Sequence, residues 1–176
     1  RIAAGDTLRI AEPSASSNPY AKTLSVVETG GQLTAGRILQ LDAATFSGDG
    51  TLTSGKDLSI ALAQDLVNNA TVSANGNLTY ATTGNLTNNG KLLAGEVLTV
   101  SGANVENAAG GEMRGDTTIV NASGTLTNRG LIDGHDTRID AGTLTNIGTG
   151  RIYGDHLSIA VGTLDNLAAT VNGVTK

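Results

Sequence analysis

The chain has 176 residues and a net charge of −5; only 15% of its residues are charged, whereas 24 are glycine. The eleven basic residues are scattered, which excludes an electrostatic grip on nucleic acid, and no apolar run reaches the roughly eighteen residues of a membrane span. There is no cysteine, which excludes disulfides and thiolate metal sites, and the four aromatic residues are too few for a core of large rings.

A repeat of about twenty residues organises the chain. The first ten residues match one unit, and from residue 31 onward a small residue opens each further unit at intervals of 19 to 21 residues. These opening residues are Gly31, Gly50, Ala70, Gly90, Gly111, Gly130 and Gly150. Self-similarity at a fixed period of this length predicts a solenoid.

Each unit contains short segments in which apolar and polar residues alternate, as at 39–41, 58–60, 98–100 and 157–159. This period is typical of strands, and the Gly, Asn, Asp and Ser between them favour turns. We therefore predict an all-β chain with little or no helix. One unit alone is expected to be unfolded, because about four aliphatic side chains at roughly 1.5–3 kcal/mol each do not offset an ordering cost of about 1.5 kcal/mol per residue.

Stacking one unit on the next pairs each strand in parallel with its equivalent and joins the apolar side chains into one inner column. The sequence thus predicts a right-handed parallel β-helix of about eight coils, on the order of 38 Å long at about 4.8 Å per coil. Neither end carries a recognisable cap. We expect residues 1–176 to be a single β-helix segment of a larger repeat array.

The period is broken at residues 11–23, between the first unit and the unit that opens at Gly31. This segment contains both prolines of the chain and several serines, a composition that predicts a loop protruding from the first coil. Asn18, Pro19 and Tyr20 are its candidate contact with a partner, because Tyr20 places an aromatic ring in a non-repetitive position. A tolerated surface insertion without a ligand is the alternative.

An asparagine follows a Leu or Val by two positions in six successive units. These asparagines are Asn68, Asn88, Asn107, Asn128, Asn146 and Asn166. In a stack of coils they fall at equivalent sites, where each amide can donate to one neighbour and accept from the other. We predict a structural asparagine ladder; the alternative is a row of solvent-facing amides that binds a ligand.

Histidine occurs twice, at similar phase in neighbouring units, as Gly134-His135-Asp136 and Gly154-Asp155-His156. Imidazole and carboxylate groups are metal ligands. Other units carry unrelated polar residues near this phase, which is typical of a solvated edge; these are Arg37, Lys56, Asn77, Glu96 and Asp116. We therefore predict no metal, no cofactor and no catalytic residue.

A carbohydrate-active β-helix enzyme remains an alternative. Such enzymes use paired carboxylates, and Asp133, Asp136, Asp140 and Asp155 are the candidates in this chain. No basic cluster or aromatic platform accompanies them in the sequence, which favours a protein without catalysis.

The repeating pattern resembles the haemagglutinin repeats of the filamentous haemagglutinin family over about residues 1–170. It is clearest in LTNNGKLLAG at 86–95, in LTNRGLIDG at 126–134, and in LTN at 144–146 followed by GRIYG at 150–154. The resemblance implies a right-handed β-helix in a very large bacterial exoprotein exported by two-partner secretion. It also implies a fibre that adheres to cells or forms the stick of a contact-dependent growth-inhibition toxin.

From this resemblance we expect a structural and adhesive shaft segment of a secreted, cell-surface exoprotein. The implied partners are a receptor on a host or target cell and the outer-membrane secretion partner of the parent protein, with neither nucleic-acid binding nor membrane insertion. The alternatives are the carbohydrate-active enzyme and a dedicated receptor-binding segment at 11–23.

Overall fold

A computed structural model describes residues 1–12 and 22–168, together with the backbone of residues 170–171 and 174–175. All regular secondary structure in these residues is β-strand, and none of it is helical. A helix long and apolar enough to cross a membrane is therefore not found in the part of the chain that the structure describes. The predicted all-β fold is confirmed.

Each coil contributes strands to three faces. The first face consists of Ile2–Ala4, Gln32–Ala35, Thr51–Ser54, Thr71–Ala74, Lys91–Ala94, Glu112–Arg114, Leu131–Asp133 and Arg151–Ile152. The second face begins with Thr7–Ala11, Ile38–Ala43, Asp57–Leu62, Leu78–Thr82 and Val97–Gly102. The third face begins with Ser25–Glu28, Thr45–Gly48, Leu66–Asn68, Leu86–Asn88 and Val105–Asn107.

In the last three coils the second and third faces are joined by long strands. These strands are Thr117–Asn128, Asp136–Ile147 and His156–Leu167. The register between the first two of them shifts between Ala122 and Thr125, at the corner where the chain passes from one face to the other. Two further short strands, Thr170–Val171 and Val174–Thr175, pair antiparallel.

Equivalent residues of successive coils are direct partners in parallel sheets. Leu78 pairs with Leu58 in the preceding coil and with Leu98 in the following coil. The first face contains eight strands in stacked order. Eight strands define seven steps, so the solenoid has about seven full turns, slightly fewer than the eight coils that the sequence predicted. Right-handedness stays a prediction.

The core is a continuous column of aliphatic side chains inside the coils. In one coil, four aliphatic side chains point inward and are fully or almost fully buried. They are Leu92 from the first face, Leu98 and Val100 from the second and Val105 from the third. Alternation along each strand produces this arrangement, because every second side chain points to the same side of a sheet. In the last coil the equivalent side chains of Leu157 and Leu164 are exposed among the described residues.

Tyr80 is the largest fully buried side chain and lies at a position that Ile60 and Val100 occupy in the neighbouring coils. Its hydroxyl has no hydrogen-bond partner within the described part of the chain, and burial raises the pKa of its phenol. Removing an unpartnered buried hydroxyl relieves a desolvation cost. We expect Tyr80→Phe to raise the free energy of unfolding by about 1 kcal/mol, measured by urea denaturation.

The matched control for this substitution is Tyr153→Phe, because the Tyr153 side chain is exposed. It is expected to leave the free energy of unfolding unchanged. A loss of stability in Tyr80→Phe would show that the buried hydroxyl is hydrogen-bonded, and would contradict the prediction.

Candidate functional site

The six asparagines named from the sequence stack along the inside of the third face. The Nδ2 of Asn68 donates to Asn88 Oδ1 at 2.7 Å, and the Nδ2 of Asn88 donates to Asn107 Oδ1 at 2.9 Å. The same bond, at 2.9 Å, joins Asn107 to Asn128, Asn128 to Asn146, and Asn146 to Asn166. We call this row of six residues the asparagine ladder.

The ladder also ties the third face to a first-face strand that lies two coils further along the chain. Asn107 Nδ2 donates to the carbonyl oxygen of Leu131 at 3.1 Å, and Asn128 Nδ2 donates to that of Arg151 at 3.2 Å. Asn68 Oδ1 accepts a hydrogen bond from the backbone N–H of Ala70. The first four members of the ladder have no exposed surface, so a ligand in solvent cannot contact them.

Glu28 extends this column and is a residue that the sequence reasoning missed. It pairs with Gly48, which precedes Asn68 by twenty residues. The Glu28 side chain is buried, and its Oε2 has no hydrogen-bond partner among the described residues. Counting back in steps of twenty from Asn68 is the signal that finds this position.

Shorter rows of polar residues line the outside of the coils. Asn89 Nδ2 donates to Asn69 Oδ1 at 2.9 Å, and Asn104 Nδ2 donates to Asn85 Oδ1 at 2.8 Å. These amide pairs have the geometry of the ladder but are exposed to solvent. Water competes for such bonds, so their net contribution to stability is small.

The segment at 11–23 is described only at its two ends. The Glu12 carboxylate accepts hydrogen bonds from the backbone N–H groups of Leu24 and Thr23, which lower the pKa of this carboxyl. The Lys22 ammonium forms an ion pair with Asp42 of the next coil. The candidate contact residues Asn18, Pro19 and Tyr20 lie outside the described residues, so a protruding loop stays a prediction.

The aspartates proposed for the enzyme alternative all have basic neighbours. Asp133 Oδ2 lies 3.3 Å from Arg114 Nε, and Asp140 Oδ2 lies 4.0 Å from Arg138 Nη2. Asp136 and Asp155 contact histidines instead. Each of these carboxylates thus has an arginine or histidine partner, and no two of them are hydrogen-bonded to each other among the residues described.

The two histidines meet at the turn between the first and second faces. His135 Nδ1 lies 2.9 Å from Asp155 Oδ2, and His156 Nδ1 lies 3.1 Å from Asp136 Oδ1. The hydrogen bond to Asp155, with the negative charges of Asp136 and Asp155, raises the pKa of His135. The sequence placed these four residues at similar phase; the structure brings them into contact.

The sequence model of the haemagglutinin repeat matches three regions of the chain, residues 29–90, 73–130 and 132–174. Together these regions cover far more than half of the chain. The chain belongs to the haemagglutinin repeat family. The resemblance seen in the sequence is therefore confirmed, and the solenoid described above is the fold of these haemagglutinin repeats. No curated protein and no solved structure matches the chain in the corresponding comparisons.

Proposed function

We propose that this haemagglutinin repeat chain is a shaft segment of a large secreted bacterial surface exoprotein, which supports cell attachment and has no catalytic role. The observation that carries the proposal is the unbroken parallel register of equivalent residues from Ile2 in the first coil to Ile152 in the last. Seven steps at about 4.8 Å give a rise of roughly 34 Å between the first and last strands. A structure of this kind separates its two ends by a fixed distance and displays one repeated surface.

The interior supports the rigidity that a shaft needs. Aliphatic side chains fill the coil, and the buried asparagines of the ladder join successive coils by hydrogen bonds between their side-chain amides. Ion pairs between coils lie outside, such as Lys91 with Glu112 at 3.0 Å and Arg129 with Glu106 at 2.7 Å. Each exposed pair contributes only about 0–1 kcal/mol, so the parallel-sheet hydrogen bonds, the aliphatic packing and the buried side-chain amides hold the stack.

The proposed partners follow from the family. They are a surface receptor on the host or target cell and the outer-membrane secretion partner of the parent protein. The proposed location of the protein is therefore outside the bacterial cell. The absence of cysteine is consistent with export of an unfolded chain. The exposed Leu157 and Leu164 in the last coil support the proposal that the repeat array is longer than this segment.

Attachment is tested by the binding of the fluorescently labelled chain to intact epithelial and bacterial cells, with unlabelled chain as competitor. We expect saturable, competed binding to at least one of these cell types. The informative variant replaces residues 13–21 with a short Gly-Ser linker, because Glu12 contacts the backbone of Thr23 and Leu24 at the base of the segment. We expect this variant to retain binding, because the displayed surface of the shaft remains intact.

The other outcomes contradict the proposal in different ways. Absence of competed binding to every cell type would remove the adhesive role. Loss of binding in the linker variant at an unchanged melting temperature would assign attachment to a dedicated receptor-binding segment. Release of reducing ends from a polysaccharide by the unmodified chain, abolished by Asp133→Asn, would establish the carbohydrate-active enzyme instead.

A further inference from the structure

The turn between the first and second faces holds a cluster of imidazoles and carboxylates in the last two coils. Asp136 is the lateral partner of His156 in the parallel register, so the preceding residues His135 and Asp155 also lie on neighbouring coils. The backbone N–H of His156 donates to the carbonyl oxygen of His135 at 3.0 Å. This bond fixes the spacing of the two coils at the cluster.

The side chains of His135, Asp136 and His156 converge. One potential ligand atom from each of these residues lies within 4.8 Å of the corresponding atoms of the other two. The imidazole rings of the two histidines are 5.3 Å apart between centroids and nearly perpendicular, at 87°. All three side chains are exposed, so they are free to adjust their rotamers around an ion.

Asp155 gives His135 the orientation of a metal ligand. Its Oδ2 is 2.9 Å from Nδ1 of His135, and a ring N–H held by a carboxylate fixes the tautomer in which Nε2 carries the free lone pair. A carboxylate bonded to the far nitrogen of a ligating histidine is a common feature of protein zinc sites. Asp155 therefore acts as a positioning residue, and Nε2 of His135 is left to bind.

We propose that His135, Asp136 and His156 bind one divalent transition-metal ion of the zinc class between the last two coils. Two imidazoles and one carboxylate suit Zn²⁺, Ni²⁺ and Cu²⁺, whereas Ca²⁺ and Mg²⁺ prefer sites made of oxygen ligands only. Tetrahedral Zn²⁺ at about 2.1 Å from its ligands holds them roughly 3.4 Å apart. The ligand atoms, which lie within 4.8 Å of one another, must therefore approach by at most about 1.4 Å, and water completes the fourth position.

The ion links the last two coils of the solenoid, and the last of these has core side chains that are exposed to solvent. Leu157, the residue after His156, is exposed in the described structure, and so is Leu164 on the same strand. His135 and His156 are 21 residues apart in the sequence and meet only when the coils stack. An ion that binds this pair therefore binds the folded state and stabilises it by mass action.

The test is titration of the full chain with Zn²⁺ by calorimetry, together with thermal unfolding followed by circular dichroism. We expect one Zn²⁺ per chain and a melting temperature raised by about 5–10 °C at a free Zn²⁺ concentration of 100 times Kd. Chelation with EDTA should reverse the shift. Ca²⁺ and Mg²⁺ at the same concentration should cause none, and Co²⁺ should give the visible absorption of a tetrahedral site.

Variants assign the site to its residues. His135→Ala, His156→Ala and Asp136→Asn should each weaken Zn²⁺ binding by at least about tenfold, and Asp155→Asn by about tenfold through the orientation of His135. All four side chains are exposed, so the unliganded variants are expected to melt at the temperature of the unmodified chain. The matched control is Asp133→Asn, an aspartate of the same turn that pairs with Arg114 and should leave binding unchanged.

Three results would overturn the proposal. One is the absence of saturable Zn²⁺ binding up to about 1 mM, the weak end of specific affinity. Another is equal binding by the chain in which both histidines are alanine. The third is an equal loss of binding in Asp133→Asn and His156→Ala, which would indicate diffuse attraction to acidic charge and not a site.

Discussion

Asn107→Ala is expected to lower the free energy of unfolding by about 3 kcal/mol, because buried groups left without a partner each cost about 1–3 kcal/mol. The Asn107 amide is fully buried and bonds to a ladder neighbour on both sides. Its removal takes the donor from Asn128 Oδ1 and from the carbonyl oxygen of Leu131. It also removes the acceptor of Asn88 Nδ2, which keeps only its bond to Glu112. Urea denaturation followed by circular dichroism measures the loss.

The outer amide row supplies the control. Asn89→Ala removes one hydrogen bond between side-chain amides, the bond to Asn69. This bond has the same length as those of Asn107 in the ladder, but it is exposed to solvent. Water replaces the lost partner, so the change is expected to stay within about 0.5 kcal/mol. Equal losses in Asn107→Ala and Asn89→Ala would show that the ladder contributes nothing beyond its surface counterpart, and the structural role proposed for it would be wrong.

Leu98→Ala is expected to lower the free energy of unfolding by about 2–5 kcal/mol, the usual cost of truncating a fully buried leucine. Leu98 is 0% exposed, whereas Leu157, at the same position of the repeat three coils later, is 46% exposed. Leu157→Ala is therefore expected to cost less than about 1 kcal/mol, because little area and no closed cavity are involved. The two variants are compared by urea denaturation.

This pair of leucines also tests the proposal that the array continues. In a longer version of the protein that includes a following coil, Leu157 is expected to become buried, and the cost of Leu157→Ala should rise towards that of Leu98→Ala. A cost that is large already in the 176-residue chain would contradict the exposure of this coil. A cost that stays small in the longer protein would show that no coil stacks on it.

The sequence predicts directly which positions of successive units are equivalent. Leu66 and Asn68 recur as Leu86 and Asn88, and this shared offset alone identifies all six ladder asparagines. The partners of the amides could not be read in the same way. The carbonyl oxygen of Leu131 reaches Asn107 because the chain turns a corner between Asn107 and Glu112 and again between Asn128 and Leu131, and local sequence does not determine the direction of such a turn.

Contacts within the 11–23 segment and around the histidines show the same limit. The pairing of Lys22 with Asp42 depends on where the chain re-enters the stack after the insertion, which no local pattern specifies. The histidines could be assigned only a similar phase, because units vary from 19 to 21 residues and a difference of one residue decides which side chains become neighbours.

The amino-acid sequence by itself determined the all-β class, the period of the coil, the inward-facing aliphatic positions and the family. These depend on side-chain alternation within each unit and on the recurrence of units along the chain, and both are present in the order of the residues without any contact between coils. Only the tertiary structure decided that His135 faces Asp155 while Asp136 faces His156, that Glu28 is buried beside Gly48, and that Tyr80 lacks a partner for its hydroxyl. The physical reason is that these contacts join residues of different coils, and the register between coils is fixed by hydrogen bonds across the whole stack.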